Sequence, residues 1–192
     1  VTDPFHALEL SGVEYEHGVC FKMKEGRKYY VADGFKEPVG VRGGDPYSLF
    51  SGGANWVAIT HPSLLNAVYE LASWREEHLD TFSSPIVRVV TTEEIYNNFS
   101  GGVKDPSAIK RFVIWSQYNW NPSPSFYFLV GSGSFDYRNI FGSSPPSDLV
   151  PVHETGTLIS ENDLLSGNPC WDGWFTDLSG DSRGDIPIGR LT

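Results

Sequence analysis

Three short apolar runs constrain this chain most: Trp56-Val-Ala-Ile-Thr60, Pro85-Ile-Val-Arg-Val-Val90 and Ser125-Phe-Tyr-Phe-Leu-Val-Gly131. Each has the length of a strand and is apolar at successive positions, the pattern of a strand covered on both faces. Helical patterns lie between them. After the first run, His61-Pro62-Ser63 breaks the strand, and Pro62 suits the first turn of a helix. Leu64, Leu65, Val68, Leu71, Ala72 and Arg75 then recur with a period near 3.6. After the second run, Thr92 followed by Glu93, Glu94 and Ile95 reads as a capped short helix. Asp105 as N-cap and Pro106 as first helical residue open another helix, through about Tyr118. Ile186-Pro-Ile-Gly189 reads as a fourth strand.

Strand–helix–strand–helix–strand order predicts an α/β fold, a small parallel sheet with flanking helices and right-handed crossovers. In such a sheet the functional crevice lies beyond the carboxyl ends of the strands. Those ends are Thr60-His61, Thr91-Thr92 and Gly131-Ser132-Gly133. Residues 1–50 follow another rhythm. Val13-Glu-Tyr-Glu and Val19-Cys-Phe-Lys-Met-Lys alternate apolar and polar, Glu25-Gly26 is a turn signal, and Lys28-Tyr-Tyr-Val-Ala32 follows. A glycine-rich connector, Gly40 to Gly53, comes next. The predicted division is a short antiparallel β extension or the end of a preceding domain over 1–50, and the α/β unit over 51–192. The last residues, Asp185 to Thr192, read as a strand that hands over to a further half of an α/β domain. The start at Val1-Thr-Asp-Pro, without Met, reads as the product of an upstream cut.

Composition narrows the function classes. At 192 residues, with 40% apolar and 20% charged residues, the chain suits one ordinary domain and a small extra lobe. A net charge of −10 without a basic stripe argues against a nucleic-acid partner. Acidic, Tyr- and Trp-rich composition fits a secreted or cell-surface protein. No apolar run is long enough to predict a membrane span. The two cysteines, Cys20 and Cys170, allow one disulfide or two unpaired thiols, and spacing does not decide between them. Neither lies in a C-x-x-C pair, so zinc and thioredoxin-like chemistry are unsupported.

An ordered set of segments carries a family resemblance. These are Trp56-Val-Ala-Ile-Thr-His61, Leu71-Ala-Ser-Trp-Arg75, Val89 to Gly102, Asp105-Pro-Ser-Ala-Ile-Lys-Arg-Phe112, Phe128 to Asn139, Leu149-Val-Pro-Val152, Trp171-Asp-Gly-Trp-Phe175, Ser179-Gly-Asp181 and Asp185 to Leu191. Over roughly residues 50–192 the chain resembles the gingipain-type cysteine peptidases, on the side of the family that includes the type IX secretion sortase-like peptidases. The resemblance implies the first, supporting subdomain of a caspase-like fold. It also implies a Cys–His dyad downstream of Thr192, a protein or peptide substrate, and the catalytic subdomain of the same parent as partner. No catalytic residue is carried over to this chain. Relatives often carry an acidic residue after the third strand, as Val-Gly-Asp, and often bind calcium. Here that position is Ser132, which weakens the case for an ion there.

Cys170 is the tempting nucleophile, with His153 and His61 as candidate bases, because a cysteine peptidase needs a thiolate beside an imidazole. But Asn168-Pro-Cys-Trp171 is a turn-like loop, so a structural cysteine is the default. Gly131-Ser-Gly133-Ser-Phe-Asp136 lacks the third glycine of a dinucleotide loop and reads as a strand-end turn. Asp177, Asp181 and Asp185 form an oxygen-rich loop of the kind that holds calcium, and they are the candidate metal ligands. A solvated acidic loop is the default for them. Arg190 reads as structural, pairing a carboxylate at a subdomain junction. The leading expectation is a supporting subdomain of a secreted cysteine endopeptidase, inactive alone. The alternative is a non-catalytic binding or scaffold module of a cell-surface protein.

Overall fold

The computed structural model describes residues 2–3, 8–9, 13–15, 18–20, 48–134, 136–140, 142, 148–153 and 171–192. The chain forms two compact units, Val1–Gly44 and Asp45–Thr192. In the first, strands β1 (Thr2–Asp3) and β2 (Leu8–Glu9) pair antiparallel, as do β3 (Val13–Tyr15) and β4 (Gly18–Cys20).

The second unit is built on a four-stranded, all-parallel sheet. Its strands are β5 (Trp56–Thr60), β6 (Val87–Thr91), β7 (Phe126–Val130) and β8 (Ile188–Leu191), in the order β6-β5-β7-β8. Helix α1 (Leu65–His78) connects β5 to β6. Helices α2 (Thr92–Phe99) and α3 (Pro106–Asn119) connect β6 to β7. β8 begins two residues later than its sequence pattern suggests, because Pro187 has no N–H to give to the ladder. Pro187 instead accepts from Tyr127 N through its carbonyl at 3.0 Å.

Local chemistry explains where the helices start. The Asp105 carboxylate accepts from Ser107 N at 2.8 Å, and Pro106 supplies a fixed φ at the first position. Burial works to raise the Asp105 pKa, but the bonds from Ser107 and Arg111 outweigh it and hold the carboxyl below its ordinary range. For α2 the cap is Thr91, one residue before the expected Thr92. Thr91 Oγ1 accepts from Glu94 N at 3.1 Å, and Glu94 Oε2 accepts from Thr91 N at 2.8 Å. This reciprocal box needs a three-residue spacing to the glutamate, and only Thr91 has it.

The sheet separates two layers. Val57, Ile59, Val90, Tyr127 and Leu129 face α2, α3 and a 3-10 turn at Asp172–Thr176, forming a core with Ile95, Ile109, Phe112, Val113 and Phe175. Trp56, Ala58 and Val130 face the other way, toward Val68 of α1. Tyr127 is buried, and its hydroxyl meets Ser116 Oγ at 2.8 Å, which satisfies its polar end; burial pushes its pKa up to about 12.

The unit reaches further upstream than the expected start at residue 51. Ser48–Phe50 form a 3-10 turn, Leu49 is buried in the main core, and Trp120 Nε1 donates to Leu49 O at 2.8 Å. Arg88 donates to the carbonyls of Ser48 and Ser51 and lies 4.4 Å from the Trp120 ring centroid. Gly53 passes so close to the next turn that a Cβ there would lie 2.3 Å from the Asn121 carbonyl carbon.

Candidate functional site

The carboxyl ends of the parallel strands are the place to look for chemistry in this fold. Thr60 Oγ1 donates to Val130 O at 2.9 Å, tying the ends of β5 and β7 together. His61 caps the turn that follows: its Nδ1 accepts from Ser63 N at 3.2 Å and lies 2.8 Å from Ser63 Oγ. Because a backbone N–H can only donate, Nδ1 is an acceptor here and the ring proton sits on Nε2. The imidazole is thus engaged in local structure.

Beyond β7 the chain turns at Gly131, whose φ is +138°, and doubles back. Ser132 O accepts from Leu149 N at 2.9 Å and from Val150 N at 3.1 Å. The glycines allow this close return, as a strand-end turn requires. Two cations then fix the returning segment. Lys104 Nζ lies 2.6 Å from Asp148 Oδ2 and donates to Asp148 O at 2.6 Å, while Asp148 Oδ1 accepts from Ser134 N at 2.6 Å. Tyr96 lies in the same buried neighbourhood. Burial, then the charges of Asp148 and Asp105, raise its pKa well above the ordinary tyrosine range.

The second cation is Arg190. Nε and Nη2 make a two-pronged pair with Asp172 Oδ2 and Oδ1 at 2.8 and 2.7 Å. Nη1 donates to Gly131 O at 2.9 Å and Val150 O at 2.7 Å, and Nη2 donates to Pro151 O at 3.2 Å. A guanidinium has five N–H donors, and this one uses the whole set. It therefore joins β8, the end of β7, the 150–151 segment and the 3-10 turn at one point. The sequence flagged Arg190 as a carboxylate partner. It held no signal for Asp172, Lys104 or Asp148, which are separated along the chain from the groups they meet.

His153 stacks on Trp174, with ring centroids 3.5 Å apart, and Lys110 Nζ lies 4.4 Å from the same Trp174 ring. Burial, then the nearby Lys110 charge, lower the His153 pKa below its usual value. Both effects favour the neutral ring. Cys170, the candidate nucleophile, lies outside the described residues.

The candidate calcium ligands sit in one loop, but each carboxylate is turned onto the backbone. Asp177 accepts from Gly180 N at 2.7 Å and Ser182 N at 3.2 Å. Asp181 accepts from Arg183 N at 3.0 Å. Asp185 accepts from Leu178 N at 2.7 Å and Ser179 N at 2.9 Å, and these bonds hold its pKa below the ordinary range. Among the described residues, no group of three or more His, Cys, Asp or Glu is arranged to hold a metal ion. The bonds that the three carboxylates accept are of the Asx type that shapes turns.

Comparison with known proteins gives these features a context. The crystal structure of dimeric latent PorU from Porphyromonas gingivalis is similar over 72% of this chain, at 19% identity and a TM-score of 0.49. The chain spans 14% of that protein's length. No curated protein is significantly similar in sequence. No helix among the described residues is long and apolar enough to cross a membrane. A family model, peptidase family C25, matches residues 51–192, the α/β unit nearly in full. With the match covering most of its length, the chain belongs to peptidase family C25, the gingipain family.

Proposed function

We propose that the α/β unit is the supporting subdomain of a secreted cysteine endopeptidase, and that the Cys–His dyad that hydrolyses the peptide bond is contributed by another part of the parent protein. The family match over residues 51–192 carries this reading. The strand ends supply a rigid frame of carbonyls, capped helices and clamped loops. The histidines described there are committed to structure: His61 caps a turn and His153 lies flat on Trp174. A dyad needs an imidazole free to take the proton of a thiol and return it to a leaving amine. In this reading the unit supports the catalytic subdomain and shapes one wall of the substrate cleft.

The test uses a peptidyl chloromethyl ketone that alkylates an activated thiolate. The 192-residue chain is expected to hydrolyse no protein substrate and to carry no label at Cys170. The parent protein is expected to be labelled at a different cysteine. Labelling of Cys170 with accompanying hydrolysis would overturn the proposal. An inert, unlabelled parent would point instead to a scaffold or binding role.

A further inference from the structure

We draw no further inference here: the strongest candidate, the side-chain cluster of His153, Trp174 and Lys110 where the segment returning from β7 meets the 3-10 turn and α3, belongs to the site already described, and nothing in the structure shows a ligand that it would take.

Discussion

Arg190 and Leu191 are neighbours on one strand, yet they face opposite layers of the molecule. Arg190 points into the layer of α2, α3 and the 3-10 turn, where its guanidinium is saturated. Leu191 points into the α1 layer and stays 53% exposed. The first layer is sealed by several elements and holds the larger share of the fully buried side chains, among them Phe112, Phe175, Ile95 and Ile109. Among the described residues, the second is packed on by α1. Burial is therefore divided unequally between the two faces of one sheet. The α2–α3 side holds the larger buried core, and on the α1 side Phe126 and Phe128 are only half-buried.

That division can be broken by mutation, beginning with the largest expected effect. Phe112→Ala in the sealed layer should destabilise the unit by about 3–5 kcal/mol in urea unfolding. Phe128→Ala on the open side should cost less than half as much, since its ring is only half-buried. Equal costs would show that the second layer is as closed as the first. Next comes Arg190→Lys. A lysine ammonium cannot reproduce the two-pronged bond to Asp172 together with three carbonyl contacts, and a loss of about 3 kcal/mol is expected. Leu191→Ser, one residue on, should change stability by no more than about 0.5 kcal/mol. Thr91→Ala removes one arm of the capping box at α2 and should cost about 1 kcal/mol. A loss near zero would mean that α2 is held by packing alone.

The pH dependence sharpens the comparison further. His153 belongs to the sealed layer through Trp174, and its folded pKa lies below the ordinary 6.5. The unfolded chain thus binds the proton more readily. Its contribution to stability is complete above about pH 6.5 and is lost as pH falls through the lower folded value. Asp105 and Asp185 have folded values below the ordinary 3.8, so their contributions persist above that pH and fade as pH drops through the folded values. Unfolding midpoints should therefore fall in two stages on acidification. His153→Gln should flatten the upper stage and leave the lower one. A single stage unaffected by that substitution would place the upper titration elsewhere.

Much of the architecture was legible in the residues. The apolar runs became β5, β6 and β7 close to their expected bounds, and the helical periods became α1 and α3. Asp105 and Pro106 started a helix as their types demand. Small misplacements have local causes: Pro187 delayed β8, and the Thr-to-Glu spacing moved the α2 cap to Thr91. The candidate site was less legible. An Asp every four residues fits both a cation loop and a set of Asx turns, because a carboxylate binds metal ions and N–H groups with the same oxygens. Sequence spacing cannot say which way those oxygens turn. The structure turns them onto Gly180, Ser182, Arg183, Leu178 and Ser179.

By itself the sequence determined what short-range physics controls: the period of apolar residues, the helix starts, the glycine turns and the alternation that forces a parallel sheet. Tertiary structure alone decided which distant groups share a point in space. Arg190 meets Gly131 across 59 residues, Lys104 meets Asp148 across 44, and Trp120 meets Leu49 across 71. It also brought the Arg75 guanidinium to 5.9 Å from the Trp56 ring centroid, from a helix to a neighbouring strand. A pattern of side chains encodes each element's own shape, because the interactions that shape it lie within a turn or two. Long-range pairings depend on strand order and crossover direction, which set the neighbours only after the sheet has formed.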